Sequence, residues 1–468
     1  MTDDTPRSTE LREAVEAGFP AAVADLTRLV RIPSVSWDGF DHAHVQRSAE
    51  AVAELARDTG VFEEIEIVRT PIPGKDEDGL PAVLATRAAR GGRPTVLLYA
   101  HHDVQPPGDD ADWETKPYEP TLKGEDRIAG RGAADDKAGV TAHIAAIRAL
   151  VAAGIDPQVG IVLYAEGEEE FGSRSLPTFL DRFHDRLAAD VIVVADGGNW
   201  DIDTPAINVA LRGMVAFNLR ITTLGHAVHS GMFGGAIPDA MLATTKLLAT
   251  LWDEDGAVAV AGLRSHEAPT PAYDEEKLRE ESGLPDHTTT IGRGEILSRE
   301  WFQPSITVTG IDAPSVLNAS NTLIPSVRVR IAARVAPGQD AHEFERILRE
   351  HLVANAPFGA KLDFDPDVDL GQAFLAPVDG WAVEAEQSAL REAWDGVEPV
   401  LMGSGGSIPF TADLVRHFPQ AQILITGVED PDSRAHSPNE SVHLPSLKRA
   451  ILAEAFMLAK LDARTIES

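Results

Sequence analysis

A mostly parallel α/β sheet flanked by helices, with an α+β domain inserted into it, is the fold predicted by three observations. Apolar strand-sized runs alternate with helix-spaced runs between about Thr95 and Ala210, the pattern of βαβ units. From about Arg212 apolar residues recur at every second position instead, as in strands with one solvated face. A last apolar run, Gln422–Thr426, returns to the first pattern. The bounds that follow are a discontinuous α/β domain of residues 1–211 and 377–468 and an inserted domain of residues 212–376.

Taken in order, the buried strands are Thr95–Ala100, Gly160–Ala165 and Val191–Ala195. Between the first two, Val140, Ile144, Ile147 and Val151 recur at helical spacing and Gly154 supplies a stop, so this segment is a crossover helix. In the insertion, Val215, Phe217, Leu219 and Ile221 alternate with other residues, as do Val327, Val329 and Ile331. Helices are expected over Asp239–Trp252 and over Ala341–Asn355, where Phe344, Ile347, Leu348 and Leu352 share a face. The stretch Asp253–Arg299, rich in charge, Gly and Pro, is expected to be solvated connection with short helices. After the Gln422–Thr426 strand, Ser446–Leu461 closes the chain as a helix.

A chain of 468 residues exceeds what one core usually fills, which fits two domains. With 41 basic and 74 acidic residues its formal charge is −33, a balance that repels a phosphate backbone and excludes nucleic acid as a natural partner. The longest apolar runs are strand-sized, well short of the roughly 18 residues of a membrane span. Met1–Glu10 is polar, without the basic and apolar regions of a secretory signal, so a cytoplasmic protein is expected. With no cysteine, disulfides and thiolate ligands are excluded, and any metal must be held by His, Asp and Glu.

Every buried strand runs into such groups at its C-terminal end, the edge where open α/β sheets bind ligands. After Tyr99 come His101, His102 and Asp103; after Tyr164 come Glu166, Glu168, Glu169 and Glu170; after Val194 comes Asp196; after Ile425 come Glu429, Asp430, Asp432 and His436. Asp135 and Asp136 stand just ahead of the crossover helix. One such residue at a strand end is ordinarily a turn or cap. Several carboxylates on one rim, however, repel one another and call for divalent cations. Adjacent residues of an extended segment point in opposite directions, so Glu169 and Glu170 have different tasks, one on metal and the other on protons. That geometry also argues against a glycosidase pair facing across a sugar. No G-x-S-x-G elbow is present. The Gly403–Pro409 loop, GSGGSIP, is either an anion cradle or a flexible loop, and it lacks the lysine of a nucleotide site.

These segments resemble a known family, the dinuclear zinc metallopeptidases that include carnosinase-like dipeptidases, aminoacylases, glutamate carboxypeptidases and succinyl-diaminopimelate desuccinylase. The resemblance spans nearly the whole chain and rests on YAHHDVQP (Tyr99–Pro106), GRGAADDKAG (Gly130–Gly139), EGEEEFGS (Glu166–Ser173), VADGG (Val194–Gly198), HSGMFGG (His229–Gly235), GGSIP (Gly405–Pro409) and AHSPNE (Ala435–Glu440). It implies two divalent ions, Zn with Mn or Co as alternatives, His101 and Asp196 on one, Glu170 and His436 on the other, and Asp135 bridging both. Asp103 would orient His101, and Glu169 would be the general base that draws a proton from water activated between the ions. The Asp135–Asp136 bond falls where family members often have a cis peptide.

By the same resemblance, residues 212–376 form a lid and homodimerisation domain whose His229 stabilises the tetrahedral oxyanion, while Arg334, Asn321 and Ser407 contact the substrate. The implied reaction is hydrolysis of a peptide bond in dipeptides or short peptides. An N-acyl-amino-acid amidohydrolase is the alternative, and a non-catalytic metal- or peptide-binding protein is the reading from another class. Two departures bear on substrate preference. Gly403 and Ser404 replace an Arg-Glu pair common among carnosinase-like members, and His102 stands where relatives often have a small or aliphatic residue.

Overall fold

The computed structural model describes residues 7–267, 270–405 and 409–466. It divides into two compact units, Met1–Val209 with Ala376–Met402 and Asp413–Ser468, and Ala210–Leu375 with Gly403–Ala412. The Gly403–Ala412 segment, which the sequence pattern left with the first unit, thus groups with the insertion.

In the first unit the sheet runs in the order Glu64–Val68, Ala82–Arg87, Gly160–Glu166, Thr95–His101, Val191–Val194, Gln422–Ile425, Ala206–Leu211. The four middle strands are parallel, in a register that sets Tyr99 beside both Tyr164 and Val194, and Val194 beside Ile425. Their C-terminal ends therefore share one edge, and the residues that follow them in sequence emerge together there. The Gly160–Glu166 strand is buried at all positions, which is why it reads as a continuous apolar run. The crossover helix, Lys137–Ala152, is buried nearly all round because the Ser8–Val30 and Leu444–Asp462 helices also pack on it. Gly154, just past its end, has φ +71°, a conformation that favours glycine.

The second unit holds a four-stranded antiparallel sheet ordered Ser305–Asp312, Ser326–Val335, Gly213–Thr222, Lys361–Gly371. Along Ser326–Val335 burial alternates strictly, and Val327, Val329, Ile331, Ala333 and Val335 point into a core shared with the Ala240–Leu248 and Ala341–Ala354 helices. Both helices begin with an aspartate that accepts a backbone N–H, Asp239 from Leu242 at 2.8 Å and Asp340 from Glu343 at 2.9 Å. Each such cap contributes about 1 kcal/mol. The expected helix from Asp239 to Trp252 is shorter, its last turn being the 3₁₀ segment Ala249–Leu251. Short helices, Glu275–Ser282 and Ile296–Trp301, do interrupt the Asp253–Arg299 stretch, but that stretch also walls a cavity, which its composition did not suggest. Among the described residues no helix is long and apolar enough to cross a membrane.

Candidate metal centre

Local backbone requirements build the site before any ligand is considered. Asp136 caps the crossover helix by accepting Gly139 N–H at 3.1 Å, and its other oxygen accepts the backbone N–H of His101 at 3.1 Å. One carboxylate thereby ties the helix start to the end of the Thr95–His101 strand. The Asp135–Asp136 peptide bond is cis. Glu440, from the far end of the chain, accepts from Arg131 Nη1 at 2.7 Å, Gly132 N at 3.0 Å, Ala134 N at 2.9 Å and Asp135 N at 3.1 Å, fixing the segment that delivers Asp135.

Potential ligand atoms form two groups, His101, Asp135 and Asp196, and Asp135, Glu170 and His436, with the atoms of each group within 4.8 Å of one another. His101 Nε2 lies 3.0 Å from Asp135 Oδ1 and 4.0 Å from Asp196 Oδ1; His436 Nε2 lies 2.9 Å from Asp135 Oδ2 and 3.2 Å from Glu170 Oε2. All five sequence-predicted ligands thus converge, with Asp135 common to both groups. His436 adopts φ 62°, the left-handed region, an uncommon setting for a residue with a side chain.

The donor set fits divalent cations. His101 Nδ1 donates to the backbone oxygen of Asp103 at 3.2 Å, so the neutral ring that an ion requires would offer its lone pair at Nε2, the nitrogen nearest Asp135 and Asp196. That buried Nε2 has no hydrogen-bond partner. Burial disfavours charge on His101, yet the Asp103 and Asp135 carboxylates hold it well above the usual histidine range. Hydrogen bonds to Asp135 and then Glu170 push His436 up to about 11. Burial pushes Glu169 and Asp196 upward, and neighbouring carboxylates, Asp135 among them, add to the shift. Here the imidazoles supply the positive charge that cations would otherwise bring.

Asp103 does two things where one was expected. Besides the carbonyl contact to His101, its carboxylate accepts the N–H groups of Glu169 at 3.2 Å and Glu170 at 3.1 Å. The consecutive glutamates are thereby held in one turn. Gln105 completes the support, its Nε2 donating to Glu170 Oε2 at 2.6 Å and its N–H to Oε1 at 3.1 Å. Other acidic candidates are structural: Glu166 accepts Tyr99 OH at 2.8 Å, Glu168 accepts the N–H groups of Leu80 at 3.1 Å and Ser175 at 2.7 Å, and Asp430 pairs with Arg127. His102 donates through Nε2 to Pro81 O at 3.0 Å, and burial pushes it down to about 4, so it is a neutral residue of the interior.

On the second unit, His229 is exposed and opens the short Ser230–Phe233 helix, its Nδ1 accepting Gly231 N–H at 3.1 Å. It pairs with Thr322, and Ser230 N–H donates to Asn321 O at 2.9 Å, so His229 and Asn321 are neighbours. Arg334 lies on the antiparallel sheet between Met214 and Ser305. Ser407 falls outside the described residues.

Glu440 and Gln105 are the supporting residues that pattern reading passed over. Both stand inside quoted motifs, but their partners are 305 and 65 positions away, and no local signal announces that. Replacing Glu440 with Gln keeps the shape and removes the charge from a carboxylate with four donors. Metal affinity should fall about 10- to 100-fold in a chelator-competition titration, and an unchanged affinity would show that Asp135 needs no such anchor.

A mostly parallel sheet presenting this paired donor set, joined to an inserted α+β unit, defines a metal-dependent hydrolase. The chain belongs to peptidase family M20/M25/M40, which matches residues 97–460, and it is a metallopeptidase. It is 32% identical over 404 residues to a cysteinylglycine-S-conjugate dipeptidase of Corynebacterium striatum, covering 86% of this chain and 88% of that protein. Identity to a Cys-Gly metallodipeptidase of Schizosaccharomyces pombe is 28% over 459 residues, 94% and 96% of the two chains. In fold it is similar to the dipeptidase Dug1p from Saccharomyces cerevisiae, with a TM-score of 0.76 and 23% identity over 99% of this chain and 100% of that one. Human carnosine dipeptidase 1 gives a TM-score of 0.74 at 24% identity over 98% and 100%.

Proposed function

We propose that this metallopeptidase is a cytoplasmic homodimer that hydrolyses the peptide bond of dipeptides and short peptides with a free amino terminus, using two zinc ions. The observation that carries the reading is the pair of three-residue donor groups sharing Asp135, with Glu169 held beside Glu170 by one carboxylate. The substrate class is supported by the relatives, whose names specify Cys-Gly or its S-conjugates. Mn and Co suit the same nitrogen and oxygen donors, and zinc is favoured by the family resemblance.

When bound, the ions polarise the scissile carbonyl and lower the pKa of a water molecule towards about 7. Glu169 takes the proton of the attacking water and returns it to the leaving nitrogen, so no covalent intermediate is needed. His101 and Asp196 would hold one ion, Glu170 and His436 the other, and Asp135 would serve both. His229 donates to the developing oxyanion, while Arg334, Asn321 and Ser407 hold the substrate carboxylate and carbonyl. Support for those four roles is the motif resemblance, together with the adjacency of His229 and Asn321. A dimer through the second unit is supported by its edge strand Ser305–Asp312 and by Val316 and Leu317, which are 95% and 94% exposed.

The test is amino-acid release from a panel of dipeptides, each paired with its N-acetylated counterpart, by zinc- or manganese-loaded protein. The expected result is cleavage of the free dipeptides, with acetylation reducing kcat/KM by about tenfold or more. Preference for the acetylated compounds would move the protein to the amidohydrolase branch, to which the Gly403–Ser404 departure would then belong.

A further inference from the structure

The second unit contains a cavity of about 540 Å³, well inside the range of small-molecule sites, about 300–1,000 Å³. Its wall is largely apolar, with Trp252, Val258, Leu278, Leu284 and Ile306 among the lining residues. Most of the rest comes from the Asp253–Arg299 stretch, which a mere connection between helices would not organise around a hollow.

Arg212 faces this cavity with little to satisfy it. Its Nη1 reaches Gln303 O at 3.5 Å and Ser305 Oγ at 3.4 Å, both long contacts, and its buried Nε has no acceptor. No ion pair is formed by Arg212 among the described residues, although a guanidinium offers five donors. Gly405 approaches it closely, since a Cβ there would stand 2.8 Å from Nη2. Two other charged groups line the cavity. Arg299 donates Nη1 to Ile291 O at 2.6 Å, and Glu300 carries a carboxyl pushed upward by burial, with Arg212 opposing that shift. Burial, followed by the like charge of Arg334, lowers Arg212 to about 10, so the guanidinium remains charged at neutral pH.

We propose that this cavity binds an amphiphilic monocarboxylate, its carboxylate on Arg212 and its apolar body against Leu278, Leu284 and Val258. A planar single-charge anion matches the guanidinium fork. A phosphate dianion would bring a second charge into a largely apolar site beside the Glu300 carboxyl, and Arg299, the other cation of the lining, already donates Nη1 to Ile291 O. Two sources have this chemistry, a free apolar carboxylic acid and the C-terminal end of a peptide with a bulky apolar residue.

Calorimetric titration of the metal-loaded full chain with 4-phenylbutyrate, and with 4-phenyl-1-butanol as the uncharged control, tests the site without requiring turnover. Saturable one-to-one binding of the acid is expected, with the alcohol about 10- to 100-fold weaker. Arg212→Met should weaken the acid by a similar factor and leave the alcohol unchanged, Arg212→Lys should recover part of the loss, and Leu278→Trp should weaken both ligands. Repeating the titration with saturating dipeptide on the Glu169→Gln variant separates the sources: displacement assigns the cavity to the apolar end of the substrate, and coexistence assigns it to a separate ligand. Absence of binding, equal affinity for acid and alcohol, indifference to Arg212→Met, or loss of binding when only the ions are stripped would each overturn the proposal. Because the readout is binding, these failures are distinct from a failure of the dipeptidase reading.

Discussion

Asp135→Ala should leave the protein unable to hold either ion with native affinity, and turnover should fall by at least about 10³-fold, since activation of carbonyl and water is worth several kcal/mol at 1.36 kcal/mol per decade. The expectation follows from geometry. Asp135 is the residue common to the two donor groups, with one oxygen 3.0 Å from His101 Nε2 and the other 2.9 Å from His436 Nε2. Without metal the same change also removes the carboxylate that pairs with His101 and His436, so each protein is compared with its own zinc-free form. The signature is therefore differential. Wild type should gain about 2.7 kcal/mol of stability when free zinc is 100 times its dissociation constant, and the variant should gain little at the same concentration. Thermal unfolding with and without zinc, alongside metal analysis of the dialysed protein, reads both quantities. Retention of one tightly held ion with near-native activity would show that the two groups act independently and that Asp135 does not bridge them.

The legibility of this site in the sequence has a physical basis. In a parallel sheet the strands are buried on both faces, so they appear as unbroken apolar runs, and polar residues that immediately follow must lie at one edge. That pattern gathers His101, Glu170, Asp196 and His436 into a wider pool of candidates, with Asp135 ahead of the crossover helix, and the family resemblance is what singles out these five as ligands. Strand ends were displaced by a single residue: Thr95–His101 takes in His101, while Val191–Val194 stops before Ala195. What stayed hidden was pairing across long separations. The pattern could not show that Glu440 grips the Gly132–Asp135 backbone, nor that the Asp103 carboxylate is shared between Glu169 and Glu170. Polar composition made Asp253–Arg299 resemble solvated connection because its apolar residues are too sparse for any periodicity, although Leu278 and Leu284 meet around a common cavity. The Gly403–Ala412 segment misled for another reason: continuity along the chain is a weak guide to grouping where a segment packs on Arg212 and Trp301.

Glu169→Gln is expected to lower kcat by about 10²–10⁴-fold while both ions remain bound, the range by which a positioned proton-transfer group contributes. Its neighbour makes this a demanding test. Glu169 and Glu170 are consecutive, their N–H groups rest on the two oxygens of Asp103, and only Glu170 belongs to a donor group with Asp135 and His436. An amide has nearly the shape of a carboxylate, so the Asp103 clamp on the backbone and the orientation of Glu170 should survive, but it cannot accept a proton from water and pass it to a departing nitrogen. Metal content should remain that of wild type, and KM should change much less than kcat, because the loss lies in the transition state. Glu170→Gln provides the contrast, since weakening a donor to the second group should reduce ion content together with rate. If Glu169→Gln instead loses an ion, or retains kcat within about tenfold, the assignment of Glu169 to protons and Glu170 to metal is wrong. The pair would then have to be reassigned from the ion content of the two variants.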